Sequence, residues 1–205
     1  MIRRFRPLLL PAATGVLWIA VVGIGVVYLT AYANQPGAVG EPPSDWPYTS
    51  AVMPGYGTPT LVLFAHPRCP CTRATIAELG TLIAQLKRPV RTHVFFYKPS
   101  NKPDSRLKTD LWANASAIPG VTPHVDPDGL EARRFGAMTS GHTLLFDENQ
   151  RLRFSGGITG ARGHQGDNAG RSALYDLITR GETDRNTTFV FGCALYSSST
   201  LSEPL

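Results

Sequence analysis

Charged residues are scarce in this 205-residue chain, making up 17% of it, against roughly 25% in a typical soluble domain. This scarcity excludes a highly charged disordered chain, and the 20 glycines and 17 prolines show none of the strict period of collagen. No basic stripe interleaved with aromatic residues is present, so no nucleic-acid partner is expected. From Glu41 onward the chain has 17 basic and 15 acidic residues, and its 42% apolar content suffices for a core.

The N-terminus reads as an export signal. Arg3, Arg4 and Arg6 precede an uncharged run of 26 residues, 8–33, and roughly 20 are enough to span a bilayer as a helix. Residues 1–33 are therefore predicted to be a transmembrane signal-anchor, with a cytoplasmic N-terminus and a periplasmic or otherwise extracytoplasmic domain. The alternative is a signal peptide cleaved after Ala33, because residues 31–33 fit the small-x-small cleavage pattern. Both alternatives export the domain.

Residues 34–59 are rich in proline and glycine. Proline stiffens and extends such segments, so the composition predicts a linker that lifts the domain off the membrane. Trp46 and Tyr48 are candidates to pack back onto the domain.

Residues 60–180 alternate short apolar runs with helical periodicity, which predicts an α/β domain: a mixed central sheet with helices on both faces. The predicted strands are 60–65, 90–97 and 122–125, followed by a hairpin of 142–146 and 151–155. The first predicted helix follows the break at residues 66–71 and ends near Leu86. The other predicted helices cover 105–117, 130–135 and 173–180. His93, on a strand, and His124 are interpreted as structural.

Three cysteines lie on the exported side, Cys69, Cys71 and Cys193, in a compartment that is usually oxidising. Cys69 and Cys71 stand where a strand ends and a helix begins, with Pro70 suited to the first helical turn. A thiolate there is stabilised by the helix N-terminus, which lowers its pKa. His66 and Arg68, just before the cysteines, are expected to add positive charge.

The segment 61–71 resembles the strand, cysteine motif and helix start of thioredoxin-like proteins. The segments 126–129 and 135–147 resemble the second half of membrane-anchored thioredoxins of the TlpA/ResA type, and the loop after residue 156 resembles the RedB-like group. The resemblance covers residues 58–180. It implies a thioredoxin-like fold and a thiol-disulfide oxidoreductase that needs no cofactor and acts on protein thiols or disulfides.

Two departures from that family matter. Its Cys-x-x-Cys motif is here Cys-x-Cys, and the cis-proline that shapes its substrate groove is replaced by His142, after Gly141. An imidazole beside two thiolates resembles a soft metal site. The alternative function is therefore a copper- or zinc-binding metallochaperone of the Sco type that uses Cys69, Cys71 and His142. An interaction module is the third possibility.

In the redox interpretation Cys69 is the nucleophile, being the more exposed at the helix start, and Cys71 or Cys193 resolves the mixed disulfide. Cys193 lies in a C-terminal extension, 181–205. Its apolar residues 189–191 indicate either an edge strand with a buried cysteine or a segment that wraps back to the first pair.

The glycine-rich loop 156–171 is either a plain connection, with Asn168 near a helix cap, or a wall of the active site. Its candidate residues near the site are Arg162, His164, Asp167 and Asn168.

Overall fold

The computed structural model describes residues 6–38, 40–103, 105, 107 and 109–196. The chain divides into two compact units, Met1–Gln35 and Pro36–Leu205. The first unit contains helix α1, Arg6–Ala33. Its segment Pro11–Ala33, with a mean hydropathy of 2.2, is long and apolar enough to cross a membrane, as an anchor or as a signal sequence. Arg3 and Arg4 lie outside the described residues.

The second unit is built around a five-stranded sheet. Its strands are β1 (Thr60–Ala65), β2 (Arg91–Lys98), β3 (Val121–Pro127), β4 (Thr143–Phe146) and β5 (Leu152–Gly156). Its helices are α2 (Pro70–Gln85), α3 (Asp110–Ser116), α4 (Leu130–Arg134) and α5 (Ala169–Arg180). The strand order is β3-β2-β1-β4-β5. The pairs β1–β2 and β2–β3 are parallel, whereas β1–β4 and β4–β5 are antiparallel.

Strand β1 is central and wholly buried, because both faces of the sheet are covered. Side chains alternate between the two faces of a strand. Leu61 and Leu63 pack into a core cluster with α2, α3 and α5. Val62 and Phe64 pack into the second cluster, which includes Trp46 and residues of α4. The mixed sheet covered on both faces that the sequence predicted is confirmed.

Three predicted elements differ from the structure. Helix α3 begins at Asp110 instead of Ser105, because the Thr109 side chain caps it by accepting the Trp112 N–H. Helix α5 begins at Ala169, four residues before the predicted start, with Asn168 as its cap. Residues 189–191 form no strand: only single bridges are made on either side of them, by Thr187 to Ser155 and by Ala194 to Thr139.

The predicted linker is packed against the domain from Pro36 onward. Trp46 is 2% exposed and meets Phe135 and Phe146 edge to face, with ring centroids 5.0 and 5.2 Å apart. The Gly37 N–H donates to the Val190 carbonyl at 2.8 Å. The expectation that Trp46 packs back onto the domain is therefore confirmed, and its aromatic contacts hold the middle of the segment 34–59 to the domain. Tyr48, by contrast, is exposed.

Candidate redox site

The end of β1 and the start of α2 place the first two cysteines. Cys69 is the N-terminal cap residue of α2, in extended conformation, and Pro70 occupies the first helical turn. Proline fits there because its missing N–H has no partner within a helix. Cys69 is 2% exposed, and Cys71, in the first turn, is partly exposed.

The third cysteine reaches the same place through residues 190–196, called here the C-terminal segment. The Ser140 N–H donates to the Cys193 carbonyl at 2.8 Å, and the Leu195 N–H donates to the Met138 carbonyl at 2.9 Å. Leu195 is 2% exposed within the cluster around Trp46. The segment therefore lies antiparallel along residues 138–140, held by backbone hydrogen bonds and by one buried leucine.

The outcome is a direct contact between two cysteines 124 positions apart. The Sγ atoms of Cys69 and Cys193 are 2.8 Å apart, and both thiols are free; a disulfide bond is about 2.03–2.05 Å long. Cys193 is exposed as a residue, whereas Cys69 is buried. The prediction that Cys69 is the more exposed thiol is wrong, because the C-terminal segment lies against it. The wrapped-back alternative for Cys193 is the one observed.

The environment of Cys69 stabilises its thiolate. Burial alone raises the Cys69 pKa, but hydrogen bonds from the Cys193 thiol, the Cys193 N–H and the Thr72 N–H and hydroxyl outweigh burial and lower the pKa. A thiolate accepting several hydrogen bonds is favoured over the neutral thiol. Cys69 is therefore the most acidic of the three thiols.

The other two thiols are held in the protonated form. Burial, then the hydrogen bond to Cys69 and the charges of Cys69 and Cys71, raise the pKa of Cys193 to about 12, although Arg162 opposes this. Burial and the neighbouring Cys69 also raise the Cys71 pKa, against the charge of Arg162 and a hydrogen bond from the Gly163 N–H. The site thus contains one acidic sulfur and two protonated ones.

Sequence reasoning missed two polar residues that support Cys69. The Thr72 hydroxyl lies 2.7 Å from the Ser140 Oγ and 3.2 Å from the His66 carbonyl. The Ser140 Oγ in turn accepts the His66 N–H at 2.8 Å. Thr72 is the third residue after the cap Cys69, and its N–H donates to the Cys69 carbonyl at 3.1 Å. The three-residue spacing from Cys69 to Thr72 is the sequence feature that could have identified Thr72 as part of the site.

His66 and Arg68 lie on the loop before α2. The His66 Nδ1 accepts the Arg68 N–H at 3.3 Å, and its ring stacks on Tyr97 with centroids 6.0 Å apart. Burial, and then the charge of Arg68, lower the His66 pKa below 6.5, so His66 is neutral at pH 7. The expectation that His66 adds positive charge is therefore wrong, and Arg68 is exposed.

His142 does not join the cysteines. Gly141 takes a positive φ of 93°, and the His142 ring then turns inward, with Nε2 2.8 Å from the Ser155 Oγ on the neighbouring β5. His142 is 3% exposed, and burial lowers its pKa to about 4. Within the described ranges, no group of three His, Cys, Asp or Glu side chains is arranged to hold a metal ion. The predicted metal site of Cys69, Cys71 and His142 is therefore not assembled.

The glycine-rich loop contributes one of its four candidates to the cysteines. Arg162 donates from Nη1 to the Gly192 carbonyl at 2.6 Å, beside Cys193. Asn168 caps α5 and donates from Nδ2 to Glu78 at 3.3 Å.

The remaining two candidates lie elsewhere on the loop. Asp167 pairs with Arg171 at 2.9 Å, and His164 is exposed. Asn168 and Asp167 thus anchor the loop, and Arg162 is its contact with the C-terminal segment.

No family model and no curated protein matches the chain. Its structure is similar to that of a hypothetical protein from Sinorhizobium meliloti (18% identity, 81% of this chain and 98% of that chain, TM-score 0.58). It is likewise similar to an uncharacterized conserved protein from Geobacillus kaustophilus (15% identity, 80% and 93% covered, TM-score 0.58). A more distant likeness is to a secreted Mycobacterium tuberculosis disulfide oxidoreductase homologous to E. coli DsbE (13% identity, 61% and 83% covered, TM-score 0.42). At these identities the likeness concerns the fold alone.

The topology gives the more specific description. Two parallel strands joined by α2 are followed by an antiparallel hairpin and a last helix, and the cysteine motif stands at the start of α2. With this arrangement the chain has a thioredoxin-like fold.

Proposed function

We propose that the chain is a thiol-disulfide oxidoreductase whose redox couple is formed by Cys69 and Cys193. The observation that carries this proposal is the 2.8 Å contact between their sulfurs. Two thiols in contact need little movement to form a disulfide, whose sulfurs are bonded at about 2.05 Å. Cys71, one residue beyond Pro70, is the third thiol within reach of Cys69.

The reaction is a two-electron exchange. In the oxidising direction, the Cys69–Cys193 disulfide accepts two electrons from a pair of substrate thiols, which become a disulfide while both cysteines are reduced. In the reducing direction, the Cys69 and Cys193 thiols give two electrons to a substrate disulfide. Each direction proceeds through a mixed disulfide between protein and substrate.

The split in acidity between the two sulfurs supports this couple. The lowered Cys69 pKa increases the share of thiolate at this sulfur, and thiolates are the species that exchange. Cys193, with its pKa raised to about 12, supplies the proton that the Cys69 thiolate shares in their hydrogen bond.

The N-terminal helix supports a place for this chemistry at a membrane. We infer that α1 anchors the chain as a signal-anchor, with the catalytic unit on the extracytoplasmic, for example periplasmic, side. The basic residues before the helix favour that orientation, and the oxidising compartment suits a disulfide couple. The substrates are then exported proteins with cysteine thiols or disulfides.

The test is the oxidation of a peptide with two cysteines by the full chain in detergent. We expect Cys69→Ser and Cys193→Ser each to abolish stoichiometric oxidation, since either change removes one sulfur of the couple. The matched variant Cys71→Ser retains both sulfurs and is expected to oxidise one equivalent of peptide. Full oxidation by Cys193→Ser, with loss in Cys71→Ser, would contradict the proposed couple.

A further inference from the structure

We propose that Cys193, and not a cysteine of the Cys-x-Cys motif, is the sulfur that exchanges with protein substrates, and that Cys69 is the buried partner that departs and returns. The inference rests on the proposed function and assigns the substrate-contacting atom within it. It reverses the roles that the sequence suggested, in which Cys69 meets the substrate.

Access to the two sulfurs is the first argument. Cys69 is 2% exposed and lies against the C-terminal segment, which is held to residues 138–140 by backbone hydrogen bonds. Cys193, in contrast, is an exposed residue. A substrate thiolate must approach the sulfur that it attacks, so an incoming protein reaches Cys193 while the segment stays docked. Reaching Cys69 would require the segment to leave, with Leu195 lifted out of its buried position.

Leaving-group chemistry is the second argument. In thiol-disulfide exchange the thiol with the lower pKa departs faster. The N–H and the hydroxyl of Thr72, in the first turn of α2, lower the Cys69 pKa and so favour the thiolate at that position. An attack on Cys193 therefore expels the better leaving group, whereas an attack on Cys69 would expel the poorer one.

The bond changes balance as follows. A substrate thiolate attacks the Sγ of Cys193 in the Cys69–Cys193 disulfide, a substrate–Cys193 bond forms, and the bond between the cysteines breaks. The electron pair goes to the Cys69 Sγ, which remains as a thiolate beside Thr72. A second substrate thiolate then attacks the substrate sulfur, and the Cys193 sulfur leaves and takes a proton from water. The substrate has lost two electrons and the protein has gained them.

The C-terminal segment keeps Cys193 in position for this exchange. The Arg162 guanidinium holds the Gly192 carbonyl at 2.6 Å, and Ser140 holds the Cys193 carbonyl at 2.8 Å. These bonds fix the backbone of Gly192 and Cys193 and leave the Cys193 side chain free of them. Cys193 can therefore carry a bound substrate while its backbone stays in position. When the Cys69 thiolate attacks to re-form the disulfide, it therefore meets the Cys193 sulfur in the same position.

The direct test maps the mixed disulfide. The full chain in detergent is oxidised with glutathione disulfide, mixed with excess reduced glutathione, and quenched with acid at successive times. Peptide mass spectrometry then locates the first glutathione adduct. We expect it on Cys193; an adduct that forms first on Cys69 or on Cys71 overturns the inference.

A second test uses the leaving group. Thr72→Val removes a hydroxyl that lowers the Cys69 pKa and keeps the shape of the side chain. If Cys69 departs, reduction of the disulfide by glutathione slows roughly threefold for a rise of about one unit in the pKa of the departing thiol. The matched control is Thr81→Val on the exposed side of α2, which should reduce at the wild-type rate. An unchanged or faster rate in Thr72→Val overturns the assignment.

The two proposals fail in different ways. If glutathione disulfide produces no Cys69–Cys193 bond in the wild-type chain, the proposed couple is wrong. If the bond forms but the first adduct is on Cys69, the couple stands and only the assignment of Cys193 as the substrate-contacting sulfur is wrong.

Discussion

Gly192→Ala is the substitution most directly aimed at the contact between Cys69 and Cys193. A Cβ at position 192 would lie 1.9 Å from the Ser140 carbonyl oxygen, whereas real Cβ contacts essentially never fall below 3.0 Å. The C-terminal segment must therefore move away from Ser140 by about 1 Å, a shift that follows from those two distances. Cys193 is the next residue, so its sulfur moves with the segment.

The size of the effect follows from the bonds that this shift breaks. The hydrogen bonds from Ser140 to the Cys193 carbonyl and from Arg162 to the Gly192 carbonyl are each worth about 0.5–1.5 kcal/mol net. Losing both costs about 1–3 kcal/mol, which corresponds to a decrease of about 5- to 150-fold in the equilibrium constant for the Cys69–Cys193 disulfide.

The assay is equilibration of the full chain in glutathione buffers of known ratio, followed by quantification of the Cys69–Cys193 disulfide. Gly160→Ala is the matched control, because a Cβ there meets nothing within 4 Å. We expect the control to match the wild type. An equilibrium constant for Gly192→Ala within twofold of the control would refute the view that the docked segment presents Cys193 to Cys69.

Three further predictions concern acidity, pH and packing. Cys193→Ala removes the thiol hydrogen bond to Cys69, so the Cys69 thiolate absorbance should titrate at a higher pH than in the wild type; an unchanged midpoint would contradict the role of that bond. His142 has a pKa of about 4 when folded and 6.5 when unfolded, so the unfolded chain gains the proton first and stability falls as pH drops from about 6.5 towards 4, by up to about 1.4 kcal/mol per pH unit. His142→Asn should remove this part of the pH dependence, which denaturant titrations at pH 7 and pH 5 measure; an equal difference from wild type at both values would count against it. Leu195→Ala should cost about 2–5 kcal/mol if its site stays docked, or should release the segment and expose Cys69 to alkylation; unchanged stability together with unchanged alkylation would disprove its anchoring role.

The central part of the fold was predictable because local patterns there agree with the tertiary structure. The apolar run of β1 predicts a strand buried on both faces, and Pro70 marks the first turn of α2. The location of Cys69 and Cys71 at the junction of β1 and α2 is predictable from the same pattern. Periodicity and breaker residues suffice where an element packs along its whole length.

The rest depends on contacts between distant residues that no local pattern encodes. Composition predicts a linker for residues 34–59 and makes Trp46 a candidate to pack on the domain, but it does not show that the partners of Trp46 are Phe135 and Phe146, about 90 to 100 residues away. His142 stands where the family has a proline, and this replacement suggested a metal ligand beside the cysteines. The His142 ring instead points towards β5, where its Nε2 forms a hydrogen bond with the Ser155 Oγ. The exposure of Cys69 was misjudged because the segment that covers it lies 124 residues away.

The measurement that tests the central claim most directly is the cysteine pairing in the oxidised full chain. The chain is equilibrated with glutathione disulfide in detergent, free thiols are blocked at low pH, and the cross-linked peptides are identified by mass spectrometry. The account predicts a bond between Cys69 and Cys193, with Cys71 recovered as a free thiol. A bond between Cys69 and Cys71, or no intramolecular disulfide, would contradict it.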